Sequence, residues 1–215
     1  MTETSPAPCP FEDWAQDEPC ECRAFDYRRG DTLTEQGSKP GAVWYLRSGS
    51  VVLSHVDASG KETFRSVRHA PGLVGLGALV GEIARSEIRA LGPVLACRVS
   101  RAVLVRRVAE AAPPLASLVD GLLQELDRRT DEDRMRRGRA ATRLARYLLQ
   151  DARDVTVSEQ LALPRGLLAG LLDMRPETLS RAIATLCRSG LIEVGRHSRL
   201  VVLDEAGLQS VASGS

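Results

Sequence analysis

The stretch LALPRGLLAGLLDMRPETLSRAIATLCRSGLIEVGRHSRLVVL, residues 161–203, decides the fold. It reads as helix, tight turn, helix and short β-hairpin. In its first part Leu167, Leu168, Leu171 and Leu172 form one apolar side, and Asp173-Met174-Arg175 makes the turn. At the helical step of about 100° per residue, Glu177, Arg181, Ala184 and Arg188 then fall within a narrow arc, with Ser180 beside it. Leu179, Ala182, Ile183 and Leu186 point the opposite way. One side is built for a core; the other offers polar groups able to reach base edges in a major groove. Arg181 has the donors to bond guanine through O6 and N7, and the Glu177 carboxylate accepts from cytosine N4. Ser180 sits against a thymine methyl or makes a weak hydrogen bond. Thr178, with Arg196, His197 and Arg199 from the hairpin, is placed to touch phosphates, which supplies affinity and salt dependence but no sequence choice. Arg175 and Arg188 complete the expected DNA-binding set. The bland alternative, an ordinary solvated helix face, fits a lone helix but not a helix with this turn and hairpin around it.

Charge supports the same reading. The net charge is only +1, which says nothing of nucleic acid by itself. Between Arg134 and Arg199, however, 13 Arg stand against 6 Asp or Glu, an excess of 7, so the rest of the chain carries −6. A basic C-terminal part behind an acidic N-terminal part fits a DNA-binding domain attached to a sensor. No apolar run reaches a membrane span, and Met1-Thr-Glu-Thr-Ser lacks a signal peptide's basic and apolar regions, so a cytoplasmic protein without a membrane partner is expected. In that compartment five cysteines point to metal binding, redox chemistry or simple burial before structural disulfides. No His-x-His cluster, nucleophile motif or phosphate-binding glycine loop is present, which argues against an enzyme.

Working towards the N-terminus, Gly138 separates a helix over Arg139–Asp151 from a longer one opened by Pro113-Pro114. Leu115, Leu118, Leu122 and Leu126, flanked by Val119 and Leu123, make a stripe along the longer helix, continued by the polar block Asp127–Arg137. That stripe packs either on a second copy of the chain or on the chain's own sensor. From Phe25 to about Val105, short β-type runs alternate with turn signals such as Arg29-Gly30-Asp31, Ser48-Gly49, Ser59-Gly60 and Pro71-Gly72, which predicts a small sandwich or barrel. Residues 1–22 form a Pro- and acid-rich arm containing Cys9, Cys20 and Cys22.

Arg175-Pro-Glu-Thr-Leu-Ser-Arg181, followed by Gly190-Leu-Ile192, resembles the winged helix-turn-helix of the CRP/FNR family of bacterial transcription regulators. Val43-Trp-Tyr-Leu-Arg-Ser-Gly49-Ser-Val51 and Pro71-Gly-Leu-Val-Gly75 look like that family's β-roll sensor. The resemblance covers about Arg28 to Val211 and is closer to the FNR branch than to the cyclic-AMP receptor branch. It implies an α+β fold: a cysteine-containing arm over 1–22, a cupin-like jelly roll over 23–112, a dimerisation helix over 113–137 and a winged helix-turn-helix over 138–215. Many family members carry Gly where this chain has Asp173, a mild departure because Asp tolerates a left-handed backbone better than most residues. The resemblance further implies a homodimer on an inverted repeat of half-sites like TTGAT, and contact with RNA polymerase. The tip Asp57-Ala-Ser-Gly-Lys61 is a candidate surface for that contact, with an ordinary turn the favoured reading.

Aligned with the family, Cys97 falls where FNR-type oxygen sensors hold an internal cluster ligand. With Cys9, Cys20 and Cys22 it makes four thiols, the number a [4Fe–4S] cluster takes. The spacing Cys9-x10-Cys20-x-Cys22 departs from the family's tighter grouping, so a thiol switch, a different metal or inert cysteines with a small-molecule signal stay open. Cys187 lies near the apolar side of the reading helix and is expected in the core. A cyclic nucleotide is not expected, because the residue after Gly75 is Leu76 where the cyclic-nucleotide branch has Glu. Haem is not expected either, His55, His69 and His197 being the only histidines.

Overall fold

The computed structural model describes residues 7–9, 23–39, 41–79, 83–109, 137–154, 163–195 and 198–213. The chain divides into two units, Met1–Arg128 and Arg129–Ser215.

Among the described residues the first unit is an antiparallel β-roll of eight strands: β1 Arg23–Tyr27, β2 Thr32–Thr34, β3 Ala42–Ser48, β4 Ser50–Val56, β5 Glu62–His69, β6 Gly72–Val74, β7 Glu87–Ala90 and β8 Val94–Ser100. They form two four-stranded sheets, one in the order β1-β8-β3-β6 and the other β2-β7-β4-β5. Strand alternation explains how β3 serves two cores. Trp44 and Leu46 face the second sheet and pack with Leu33, Val51, Ile88, Val94 and Ala96. Val43 faces outward and packs with Leu76, Cys97, Val99 and Leu104. Gly49 (φ +84°) joins β3 to β4 where a Cβ would collide with the Pro93 carbonyl oxygen, so the turn needs glycine twice over.

The run of β structure ends earlier than its composition implies. Strands stop at Ser100, and Arg101–Ala109 is a helix, α1, instead of a strand reaching Val105. The Ser100 hydroxyl accepts a hydrogen bond from the Val103 N–H at 3.3 Å, and Leu104 packs fully buried on the outer core. Capping and one long-range contact outweigh the β-branched residues' local preference.

The second unit holds α2 Ala140–Asp154, α3 Arg165–Leu171, α4 Pro176–Arg188, a hairpin of β9 Ile192–Val194 and β10 Leu200–Val202, and α5 Glu205–Ser213. Helix α2 packs against both α4 and α5. The chain turns after α3 through a Schellman motif: Met174 N–H donates to Ala169 O at 2.9 Å and Asp173 N–H to Gly170 O at 3.1 Å. The same pattern ends α4, where Leu191 N–H reaches Leu186 O at 3.1 Å and Gly190 N–H reaches Cys187 O at 3.0 Å. The left-handed residue is Gly190 (φ +68°) at the second end but Asp173 (φ +50°) at the first. Proline at the first position of α4, with Arg175 extended before it, fixes where that helix starts.

Candidate functional site

Helix α4 is amphipathic in the way its sequence requires. Leu179, Ala182, Ile183 and Leu186 are buried, while Glu177, Ser180, Arg181, Ala184 and Arg188 are exposed. Glu177, Ser180 and Arg181 stand three and four residues apart, so they are neighbours on one face. Neither the Glu177 carboxylate nor the Arg181 guanidinium makes a hydrogen bond or ion pair with any described residue. Glu177 lies in the first turn, where the helix dipole favours a negative charge, and Arg188 in the last turn, where it favours a positive one. The Arg188 side chain folds back on its own helix, Nε to Ala184 O at 3.3 Å.

The other expected contacts vary in access. Arg175 is exposed at the N-cap, without a side-chain capping bond, and Thr178 is half-buried. Arg199 is half-buried beside the hairpin. Arg196 and His197 lie outside the described residues, as do Cys20, Cys22 and the whole 113–136 stripe.

Two arginines that the sequence did not single out lie in the same unit. Arg143, on α2, donates from its guanidinium to Asp173 O at 2.8 Å and so pins the carbonyl of the one left-handed residue in the turn. Arg165 opens α3, and one of its guanidinium nitrogens is shielded from solvent without a hydrogen-bond partner. Both follow from positions far apart in sequence or from packing, so a face count over α4 alone does not find them.

On the sensor side, Cys9 and Cys97, 88 residues apart, lie in one core. Both are buried, at 8% and 3% exposure, among Val43, Leu76, Val99 and Leu104. Segment 7–9 is tied to β3 twice: Ala7 N–H donates to Arg47 O at 3.0 Å, and Arg47 Nε donates to Ala7 O at 2.6 Å. Tyr45 borders the same core. Burial pushes its hydroxyl pKa up, and Cys9 and Cys97 push it further while Arg47 opposes. Among the described residues no group of three or more His, Cys, Asp or Glu gathers as a metal site. Cys187 is half-buried at the edge of the α4 core. His55 Nδ1 lies 3.0 Å from Arg85 O, and His69 Nδ1 lies 2.8 Å from the Ser50 hydroxyl. Leu76 follows Gly75 as expected from the sequence and turns its side chain into the outer core.

Comparison with known proteins defines the class. Residues 24–110 match the cyclic nucleotide-binding domain family, and residues 142–211 match the Crp-like helix-turn-helix domain family. The chain belongs to the CRP/FNR family of DNA-binding transcription regulators, which are not enzymes. Among curated proteins it is similar to the transcriptional activator protein FnrA of Stutzerimonas stutzeri, 26% identical over 205 residues, covering 90% of this chain and 82% of the relative. It is likewise similar to the transcriptional activator protein anr of Pseudomonas aeruginosa, 24% identical over 203 residues, covering 89% of this chain and 81% of that one. The fold matches that of FixK2 from Bradyrhizobium japonicum, with a TM-score of 0.78 at 22% identity, over 88% of this chain and 96% of that one. The two-part α+β architecture read from the sequence is therefore the observed one. Among the described residues, no helix is long and apolar enough to cross a membrane.

Proposed function

We propose that the chain is a cytoplasmic homodimer that binds an inverted repeat of TTGAT-like half-sites through Glu177, Ser180 and Arg181. The observation that carries this reading is the exposed polar face of α4, whose carboxylate and guanidinium make no hydrogen bond or ion pair among the described residues. Arg181 takes the guanine edge and Glu177 a cytosine amino group. Thr178, Arg175, Arg188, Arg196, His197 and Arg199 meet phosphates. The stripe over 113–137 joins the two copies, which places the reading helices about one DNA turn apart. The domain limits that go with this are 1–22, 23–112, 113–137 and 138–215. RNA polymerase is the protein partner, with the Asp57–Lys61 tip as one surface for it.

The sensor input is redox state or oxygen, held by Cys9, Cys20, Cys22 and Cys97. The convergence of Cys9 and Cys97 in one core supplies two of the four thiols a [4Fe–4S] cluster takes. When bound, such a cluster would supply an oxygen-labile link between the arm and the roll. Arg47 holds the arm segment against β3, in the sheet that carries Cys97 on β8. A cluster-free regulator responding to thiol oxidation or a small-molecule effector is the second reading; the apolar burial of both thiols favours its small-molecule form, since such thiols react poorly. Neither reading takes a cyclic nucleotide or haem as the signal, in view of Leu76 in the outer core and of His55 and His69 lying beside a backbone carbonyl and a serine hydroxyl.

Two measurements separate these statements. Fluorescence anisotropy with a TTGAT inverted repeat should give binding that weakens steeply from low to moderate salt, and a protein with no salt-dependent duplex binding would refute the DNA reading. Iron and sulfide analysis after anaerobic purification should give about four of each per chain. A colourless protein with free thiols would end the cluster reading and leave the thiol one standing.

A further inference from the structure

Strand β8 breaks its own pattern. Val94 and Ala96 are buried between the two sheets, and strand alternation sends Arg98 to that same side, one step nearer the end of the roll. Arg98 is exposed there, so the buried row of β8 ends at Ala96. At that end the space between the sheets opens into a cavity of about 310 Å³, bordered by Thr32, Thr34, Lys39, Gly41, Trp44 and Arg98.

The cavity has the parts of a small-ligand site. Its floor is the buried Trp44, held edge-on by Tyr27 at 5.7 Å and by Phe25 at 6.1 Å between ring centres. The indole N–H is spent on the Thr34 hydroxyl oxygen at 3.0 Å, which leaves the Thr34 O–H free to donate. Glycine at position 41 keeps the guanidinium's place open, since a Cβ there would come within 3.3 Å of an Arg98 nitrogen. Neither Arg98 nor Lys39 makes a hydrogen bond or ion pair with a described residue. Glu35 on the rim offsets one of the two cations, so the lining keeps a single net positive charge. The volume sits at the lower end of ligand pockets, and the mixture of an aromatic floor with a few convergent donors is what such pockets share.

We propose that this mouth binds a small oxyanion, a carboxylate or phosphate compound, gripped in bidentate fashion by Arg98 and assisted by Lys39 and the Thr34 hydroxyl. None of its lining residues belongs to the Val74–Leu76 turn or to the Cys9–Cys97 core, so it is an input separate from the redox one. The ligand's apolar part rests on Trp44, and its charge faces the donors at the rim.

Trp44 reports its own occupancy. The chain has two tryptophans, and Trp14→Phe leaves Trp44 as the sole indole emitter. This variant is titrated with inorganic phosphate and with citrate, at ionic strength held constant with chloride. A saturable emission change with half-saturation on the order of 1 mM is expected for at least one anion. Adding Arg98→Gln should weaken it about tenfold or more, Lys39→Gln by a smaller factor, and Arg29→Gln not at all. Far-UV circular dichroism checks that each variant is folded. Should Arg98→Gln not fold, the Lys39→Gln titration decides. Absence of a saturable change with both anions, or an equal response after loss of the cation, overturns the proposal.

Discussion

Helix α4 and the outer core of the β-roll are specified by different kinds of information. In α4 every relevant residue lies within 13 positions, so 3.6-residue periodicity alone sorts Leu179, Ala182, Ile183 and Leu186 from Glu177, Ser180 and Arg181. In the outer core, Cys9 and Cys97 meet across 88 residues of chain because Arg47 ties the arm to β3. A local pattern can be read from one sequence, whereas convergence of this kind depends on topology. The contrast explains why the proposed DNA-reading surface has a definite residue set while the proposed signal has two readings.

The contrast can be broken or sharpened by substitution. Leu179→Ala should have the largest effect: the side chain is fully buried, and its removal leaves a cavity costing about 2–5 kcal/mol. Urea denaturation should show the loss, with DNA binding lost alongside it. Unchanged stability would mean that the buried side of α4 has been misassigned. Cys97→Ser comes next. A hydroxyl in place of the thiol in the apolar outer core costs about 1–3 kcal/mol, measurable by calorimetry. A variant as stable as the parent would mean that Cys97 is not in the packed core described.

A smaller effect, of opposite sign, is expected at the turn. Asp173 adopts φ +50° where the second Schellman end uses Gly190, so Asp173→Gly should stabilise the protein by about 0.5–1 kcal/mol. A clear loss would show that the aspartate side chain contributes something the backbone geometry does not. The smallest effect is at the hairpin tip. Asp57 accepts hydrogen bonds from Ser59 Oγ at 2.5 Å, Ser59 N–H at 2.8 Å and Lys61 N–H at 3.1 Å, and these hold its pKa below the usual 3.8. A pKa depressed by folding means that the tip's order is fully present above the unfolded value and is lost as pH falls through the folded one. The Ser59 and Lys61 amide resonances should therefore titrate with a midpoint below 3.8, and Asp57→Asn should remove that transition.

Legibility followed the same divide. The turn at Asp173, both faces of α4 and the hairpin strands followed from local spacing, and a small sandwich or barrel from regularly placed turn signals; its being a β-roll came from the family resemblance. The helix at Arg101–Ala109 did not, because Val103, Val105 and Val108 have β-type side chains and the Ser100 cap is a single contact. Helix α5 was also missed, although Asp204 supplies a cap by accepting from the Gly207 N–H at 2.9 Å. The Arg143 clamp on Asp173 spans 30 residues, and the meeting of Arg98 with Lys39 at the roll's mouth needs both sheets in place. No pattern counted along one element finds either.

The central claim is that the exposed face of α4 reads bases. It is tested most directly by competition between a TTGAT inverted repeat and a scrambled duplex of equal length, for the parent chain and for Arg181→Ala. The parent should prefer the repeat, and Arg181→Ala should lose about 1–3 kcal/mol of discrimination per half-site while keeping its salt dependence. Equal discrimination by the two proteins would contradict the assignment.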